Sequence, residues 1–294
     1  MERRKIRHLT WKMPEYPERL KNIPDAPREL YYCGELPDAK QPCIAIVGAR
    51  ECSDYGRAMA KEFAGTLAGA GVNVVSGMAR GIDSISQEAA ILAGGRTYAV
   101  LGCGVDICYP RSSESLYKQI MEGKGGVISL CAPGTTPAKY LFPERNRIVA
   151  GLADALLVIE ARRKSGTLIT VDMALAQGKD VYAVPGRLTD RLSDGCNYLI
   201  RQGAGIALTP EDLLRELYGM NPCKKKKNAQ NKRTGVAEYM DYEPIHVDDI
   251  LGKMREHYPE ATFSGMMQEL MNLCLQGKVV QTGGGYFSLA GPGE

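Results

Sequence analysis

Between residues 43 and 184, short apolar runs alternate with amphipathic stretches in a way that few folds accommodate. The apolar runs have the length and composition of strands that are buried on both faces. They are Cys43–Val47, Val72–Ser76, Thr97–Leu101, Val127–Leu130, Ala155–Glu160 and Val181–Val184. This alternation predicts an α/β fold with a Rossmann-like, doubly wound and mostly parallel sheet.

Helical periodicity occupies the intervals between the runs. The clearest case is an apolar face at spacings i, i+3, i+4, i+7 and i+8, formed by Ala60, Phe63, Ala64, Leu67 and Ala68. Further helices are predicted at Asp83–Leu92, Ser113–Met121 and Leu168–Gln177, with a short one from Arg145 through Leu152. We expect Asp83 to cap its helix, and Ser112 or Ser113 to cap the next one.

The loops after the predicted strands carry small residues and positive charge. In open α/β sheets, ligands bind beyond the carboxyl ends of the strands. Ser165, Gly166 and Thr167 lie between a buried strand and the start of a helix, where free backbone N–H groups attract anions. Basic residues lie on both sides of that strand: Arg145, Arg147, Arg162, Arg163 and Lys164. Together they predict an anion site, most plausibly for phosphate.

Known nucleotide fingerprints are missing from these loops. None reads G-x-G-x-x-G or G-x-x-x-x-G-K-[ST], so neither a tight dinucleotide site nor a P-loop is predicted. Gly102-x-Gly104 lacks the third glycine, and Tyr109-Pro110 interrupts the helix that the motif needs. The three histidines all lie outside residues 40–210, which argues against a histidine base or histidine metal site in the main domain.

The amino-acid composition limits which cellular location and which cofactors are expected. The 37 Lys and Arg residues against 34 Asp and Glu residues give a net charge of +3, too weak by itself to identify a nucleic-acid binder. Nine cysteines without a C-x-x-C pair indicate neither a zinc ribbon nor a redox dithiol. We therefore expect reduced thiols, a cytoplasmic location, no metal and no cofactor. No run of 18 apolar residues is present, so no membrane segment is expected.

The sequence predicts four regions. Residues 1–40 form an extended strap in which Tyr31–Gly34 is a short edge strand, and residues 41–218 form the Rossmann-like domain. Residues 219–242 form a linker whose basic run Lys224–Lys227 is either a solvated tether or a binding patch. Residues 243–294 show two helices and a glycine-turn hairpin, the outline of a winged helix. Its second helix has no Arg or Lys before Lys278, which suits protein contact better than duplex DNA.

Several short motifs occur in order from about Tyr16 to Leu208. They are Gly48-Ala49-Arg50, Ser53-x-Tyr55-Gly56, Ser76-Gly77-Met78-Ala79-x-Gly81-Ile82-Asp83, Tyr109-Pro110, Phe142-Pro143-x-Arg145-Asn146-Arg147, Ser165-Gly166-Thr167-Leu168-x-Thr170 and Pro185-Gly186. Together they resemble the DNA processing protein DprA (Smf) family. The resemblance implies a Rossmann-like domain that binds single-stranded DNA, forms a homodimer and helps to load the RecA recombinase during natural transformation. It also implies that the protein is not an enzyme.

The resemblance places phosphate contacts on Arg50, Arg145 and Arg147, with Ser165, Gly166 and Thr167 framing the same pocket. Charge and proximity in sequence add Lys139 and Arg80 to the set. The complete predicted DNA and phosphate site is Gly48, Arg50, Arg80, Lys139, Phe142, Arg145, Asn146, Arg147, Lys164, Ser165, Gly166 and Thr167. Tyr140 or Phe142 would stack on bases, and core packing is the alternative for Phe142.

Three departures from the family pattern affect details. Gln87 stands where the family has a histidine, and Leu130 follows Ser129 where the family often has glutamate. We also expect no N-terminal domain of the sterile-alpha-motif type, which many members carry. The first two bear on the pocket and not on the fold.

Two other functions stay open at this point. Phosphoribohydrolases of the lysine-decarboxylase-like type share such a sheet, but their loop glutamate has no counterpart near Gly166-Thr167. Asp83 and Glu160 are the remaining carboxylates, and we expect Glu160 to pair with a loop arginine. A regulatory nucleotide-sensing module would fit the same pocket.

Overall fold

The computed structural model describes residues 6–220 and 235–290. The chain divides into two compact units, Met1–Pro222 and Cys223–Glu294. Within the described residues no helix has the length and apolarity that crossing a bilayer requires.

The first unit is built on a nine-stranded sheet. Its strands are β1 (Arg7–Thr10), β2 (Glu29–Gly34), β3 (Cys43–Val47), β4 (Asn73–Ser76), β5 (Thr97–Leu101), β6 (Gly125–Ser129), β7 (Ala155–Val158), β8 (Asp180–Ala183) and β9 (Gly205–Ile206). They are arranged in the order β1-β2-β6-β5-β4-β3-β7-β8-β9. Strands β3 to β9 are parallel, and β1 and β2 pair antiparallel at one end. The predicted Rossmann-like sheet is confirmed.

Eight α-helices in the described part of the first unit cover the sheet. They are α1 (Glu18–Lys21), α2 (Asp54–Gly69), α3 (Ile82–Leu92), α4 (Glu114–Gln119), α5 (Leu141–Leu152), α6 (Gly166–Ala176), α7 (Asp194–Arg201) and α8 (Pro210–Tyr218). The sequence of β3 is a continuous apolar run because both faces of this strand are covered by helices. Ile44 and Ile46 pack in one core with α2, α3 and α8, whereas Ala45 and Val47 pack in the other with α1, α5, α6 and α7.

The strand order reverses at β3, and this places the functional edge. From β3 the chain runs outward through β4, β5 and β6, then returns to the other side of β3 as β7. At such a switch point the loops leave in opposite directions and a crevice opens at the carboxyl ends of the strands. The loops after β3 and β7 therefore meet here, as their glycines and basic residues led us to expect.

The N-terminal region differs from the prediction. Residues 31–34 belong to β2, which pairs with β6 on one side and with β1 on the other, so they are not an edge strand. The first forty residues extend the sheet instead of only crossing it.

Helix α5 starts at Leu141, four residues earlier than predicted, because Pro143 is tolerated in a first turn where no N–H partner is needed. Ser113 precedes α4 but donates its hydroxyl to the Met78 carbonyl and caps nothing.

The second unit has the predicted winged-helix-like outline. A 3₁₀ turn (Gly235–Tyr239) leads to β10 (Ile245–His246), α9 (Val247–His257), α10 (Phe263–Leu275), β11 (Val279–Gly283) and β12 (Tyr286–Leu289). The three strands form a sheet in the order β10-β12-β11. Val236 and Met240, which the sequence analysis assigned to the linker, are buried in this unit's core, so the unit begins before residue 243. The run Lys224–Lys227 lies outside the described residues, and the suitability of α10 for protein contact stays a prediction.

Candidate nucleic-acid interface

The loops after β3 and β7 are tied together at the switch point. The Thr167 hydroxyl donates to the Gly48 carbonyl at 3.2 Å, and the Ala49 N–H donates to the Glu160 carbonyl at 2.8 Å. Ser165 is the N-cap residue of α6, yet its side chain makes no capping bond, and its buried Oγ has no partner among the described residues. The start of α6 therefore keeps backbone N–H groups that no side chain caps, with the positive end of the helix dipole behind them. This geometry is compatible with the anion site that the sequence predicts, which stays a prediction.

A cation and two aromatic rings lie at the same edge. The Arg50 guanidinium carbon is 5.9 Å from the centroid of the Phe142 ring. The centroids of the Tyr109 and Phe142 rings are 5.7 Å apart, and the two ring planes are inclined at 34°. Arg50 and Tyr109 are exposed. In the described part of the chain, no carboxylate lies within 4.0 Å of the Arg50 guanidinium. Its charge is therefore free to meet an anionic ligand.

Phe142 makes the core contact that the sequence left open, and its stacking on bases stays a prediction. It is half-buried and lies against Gly102, where an added Cβ would come within 3.0 Å of its ring. Its remaining surface lies between Arg50 and Tyr109. Sequence reasoning missed Tyr109 as a site residue, because Tyr109-Pro110 was considered only as a helix breaker and as one of the family motifs. An aromatic residue after a glycine-rich loop at the carboxyl edge was the available signal.

Other basic and aromatic side chains border this array. Lys139 and Tyr140 are exposed immediately before α5, and Tyr140 is 73% accessible. Lys164 is exposed directly before Ser165. An array of aromatic rings and cations along one edge is the arrangement that proteins use to hold a single strand of nucleic acid.

Arg145 is placed differently from the prediction. It is only 6% exposed, and its Nη1 donates to the Gly77 carbonyl at 2.5 Å and to the Val100 carbonyl. Its Nε donates to Asn146 Oδ1 at 3.1 Å. Burial lowers the pKa of Arg145, and the nearby Asp83 carboxylate acts in the opposite direction. The direct phosphate contact stays a prediction; what the geometry provides is a support that joins the loop after β4 to the end of β5.

Asp83 shares this buried environment. Its Oδ2 accepts the Gly77 N–H at 3.1 Å, and burial raises its pKa. Helix α3 begins at Ile82 with Gly81 as the N-cap residue, so the expectation that Asp83 caps the helix is wrong. The loop at residues 77–81 folds back over the first turn, and the carboxylate binds the loop instead.

Glu160 is likewise a structural group. It is fully buried, its Oε2 accepts the Ser53 N–H at 2.9 Å, and its Oε1 accepts the Ser53 hydroxyl. Burial raises the pKa of this carboxyl group. The expected pairing with a loop arginine is wrong, because the side chain turns toward the start of α2. Gly56 leaves room for it, since a Cβ there would collide with the carboxylate.

Arg147 does not join the predicted site. Its Nη1 donates to the Asp25 carbonyl and its Nε is 3.4 Å from Glu144, so it faces the N-terminal segment. Side chains two residues apart on a helix point in different directions, and α5 therefore cannot present Arg145 and Arg147 to one ligand. The prediction of a phosphate contact for Arg147 is corrected accordingly.

Arg80 is exposed in the loop before α3. Together with Arg50 it lines a cavity of about 320 Å³ beside the first turn of α3.

Gln87 is fully buried and donates to the Thr97 hydroxyl at 3.0 Å, so this departure from the family pattern affects the core. Leu130 packs against the core as well. Across residues 6–220 and 235–290, no group of three His, Cys, Asp or Glu side chains is placed to hold a metal ion.

Comparison with known proteins gives a consistent result. The family model described as DNA recombination-mediator protein A matches residues 7–218. The DNA processing protein DprA of Streptococcus pneumoniae is 43% identical over 201 residues, which are 68% of this chain and 71% of that protein. Protein Smf of Escherichia coli is 40% identical over 202 residues, and the match spans 69% of this chain and 54% of that protein.

Two solved structures share the fold. The X-ray structure of DprA from Streptococcus pneumoniae aligns with a TM-score of 0.68 at 40% identity, covering 72% of this chain and 75% of that one. The structure of DNA processing protein A from Helicobacter pylori, described for its single-stranded DNA binding mode, aligns with a TM-score of 0.62 at 29% identity. That alignment covers 72% of this chain and 95% of the other.

Proposed function

The chain belongs to the DNA recombination-mediator protein A family, and we propose that it binds single-stranded DNA and mediates the loading of a RecA-type recombinase. The observation that supports DNA binding most directly is the array of Arg50, Phe142 and Tyr109 beside the uncapped start of α6. The Helicobacter pylori relative is described as binding single-stranded DNA, in agreement with this proposal. Recombinase loading and homodimer formation rest on family membership alone.

The strand follows the carboxyl edge of the sheet. One phosphate lies between Arg50 and the N–H groups at Gly166 and Thr167, because cation, dipole and donors coincide there. Bases stack on Phe142 and Tyr109, with Tyr140 extending the platform. Lys139 and Lys164 supply further charge to neighbouring phosphates. None of these contacts reads a base edge, so binding is independent of sequence.

The geometry does not favour the hydrolase alternative. Both carboxylates that sequence reasoning left for acid–base work are buried and hydrogen-bonded to backbone N–H groups, Asp83 to Gly77 and Glu160 to Ser53. A carboxylate held in this way does not reach a substrate at the loop edge. Non-enzymatic action therefore remains our proposal.

Fluorescence anisotropy tests the proposal. A labelled oligo-dT is titrated with the chain at two salt concentrations, with a duplex of equal length as the competitor. Arg50→Ala should weaken single-strand binding roughly tenfold and reduce the salt slope by about 0.7, the value for one lost contact to a single strand. Arg96→Ala is the matched control, because Arg96 is exposed at the amino edge of β5, opposite the site. Equal affinity for single strand and duplex, or an unchanged Arg50→Ala variant, would contradict the proposal.

A further inference from the structure

A cavity lined by arginines lies beside the proposed path of the DNA strand along the carboxyl edge of the sheet, which is called the strand path below. It has a volume of about 320 Å³ and is walled by the loop after β3, the first turns of α2 and α3, and the serines at 112 and 113. Small-molecule sites in proteins span about 300–1,000 Å³, so this cavity is near the lower limit and holds about one nucleotide. Arg50 lies at its rim and is shared with the strand path, whereas Arg57 and Arg80 belong to the cavity alone.

Three arginines from different elements line this space. Arg50 comes from the loop after β3, Arg57 from α2 and Arg80 from the loop before α3. All three are exposed, and the nearest carboxylate to Arg57 is Asp54, whose Oδ1 is 4.0 Å from the Arg57 Nε. That distance is too long for a hydrogen bond, so among the described residues no carboxylate is hydrogen-bonded to Arg57. Guanidinium groups bind phosphate oxygens in pairs, and three of them exceed what one phosphodiester needs.

The cavity also contains acceptors and an apolar wall. Glu51 and Glu88 lie among its lining residues, and Ile85 contributes a buried aliphatic surface. A site for inorganic phosphate alone would gain nothing from carboxylates, which repel an anion. Carboxylates do accept hydrogen bonds from the amino groups of bases, and an aliphatic side chain packs on a base face. Cations, acceptors and an apolar wall together match a whole nucleotide.

We infer that this cavity binds a nucleotide through its phosphomonoester group, which Arg57 and Arg80 hold while the base contacts Glu88 and Ile85. A phosphomonoester carries a charge of about −1.5 to −2 at neutral pH, against −1 for each phosphate inside a strand, so three arginines favour the monoester. Two sources carry this group: a free nucleoside monophosphate and the phosphorylated end of a DNA strand. The second source rests on the proposed function, and the first does not.

The free nucleotide is tested by calorimetric titration of the full chain with each deoxynucleoside monophosphate, and with the matching nucleosides as phosphate-free controls. Monophosphates should bind, and nucleosides should bind at least roughly tenfold more weakly. Arg57→Ala and Arg80→Ala should each weaken monophosphate binding roughly tenfold, the loss expected for a charge-assisted hydrogen bond. Arg96→Ala, which removes an arginine from the opposite edge of the sheet, should stay within twofold.

The strand end is tested by anisotropy with three oligo-dT probes of equal length, which carry a 5′-phosphate, a 3′-phosphate or two terminal hydroxyls. Preference for one phosphorylated end, lost in Arg57→Ala, identifies the strand end as a source. In that variant the probe with two hydroxyls should bind as it does to the parent chain, because Arg57 lies outside the strand path.

The outcomes separate the two proposals. Binding of monophosphates without an end preference supports the cavity and identifies the free nucleotide as its ligand. A parent chain that binds oligo-dT but neither binds monophosphates nor prefers a phosphorylated end would overturn the inference and leave DNA binding intact. A chain that binds monophosphates but no oligo-dT would overturn the proposed function and leave the cavity intact.

Discussion

Replacing the buried Arg145 should destabilise the first unit and should not act as the loss of a DNA contact. Arg145→Met keeps most of the volume and removes the charge. It deprives the Gly77 and Val100 carbonyls of their donor and leaves Asp83 buried without its compensating cation. A charge-assisted hydrogen bond contributes about 1.5–3 kcal/mol, and breaking a buried charge pair typically costs about 3–5 kcal/mol. We expect a loss of about 3–5 kcal/mol from the free energy of unfolding.

Urea denaturation of the full chain measures this loss. Trp11 is the single tryptophan and lies in the first unit, where its backbone N–H donates to the Arg28 carbonyl, so its fluorescence reports that unit and not the second one. With a urea slope of about 2 kcal/mol per molar, the midpoint should fall by roughly 2 M. Arg50→Met, an exposed arginine without an ion pair in the described residues, should shift the midpoint by less than about 0.25 M.

A second substitution tests the cause. Adding Asp83→Asn to Arg145→Met removes the uncompensated carboxylate, so the double variant should regain about 0.5–3 kcal/mol, the usual range for coupled neighbours. The reasoning is refuted if Arg145→Met unfolds at the midpoint of the parent chain and nevertheless loses single-strand affinity, because Arg145 would then be a ligand contact. Absence of coupling with Asp83→Asn would show that the two carbonyl bonds alone account for the loss.

Three further predictions concern the rings, the buried acid and a glycine. Tyr109→Ala should weaken oligo-dT binding by about 1–3 kcal/mol with an unchanged salt slope, because stacking is lost and no charge is removed; anisotropy at two salt concentrations separates this from a lost phosphate contact. Burial raises the pKa of Glu160 above its ordinary 4.5, so its contribution to stability is complete below about pH 4.5 and declines as the pH rises through the folded-state pKa. Glu160→Gln should therefore gain stability relative to the parent between pH 4.5 and 7 in urea titrations, and a constant difference would contradict the assignment. Gly56→Ala should cost about 1–3 kcal/mol in the same titration, because its methyl group collides with the Glu160 carboxylate, whereas Gly65→Ala on the same helix, where the nearest atom to a Cβ is 3.9 Å away, should not destabilise.

The sequence predicted the central strands well because burial on both faces leaves an unmistakable pattern. The predicted bounds of β3 and β5 agree with the structure to the residue. Strand β1 was missed, because Arg7–Thr10 is a polar, short edge strand whose only pairing is with β2. Such a strand depends on its neighbour and leaves no periodic signal of its own.

Side-chain direction in the site was harder to predict than the site's location. Glycines and positive charges indicated the edge of the sheet at which the candidate site lies. They did not show that Arg145 turns inward and Arg147 toward the N-terminal segment, since that depends on where α5 begins. Nor did they show that Glu160 binds Ser53, a contact across 107 residues of sequence. Contacts between distant loops follow from the assembled sheet and not from local pattern.

The position of β2 in the sheet has a consequence for synthesis on the ribosome. Residues 29–34 are made early, but their partner β6 at residues 125–129 follows only after β3, β4 and β5. At about 5–20 residues per second, the delay is on the order of ten seconds. During that time Leu30, which the folded chain buries completely, has no sheet to pack against. The nascent chain thus exposes an apolar strand to chaperones and proteases. Strand β2, although made early, can pair with β6 only after the central strands β3, β4 and β5 have been made.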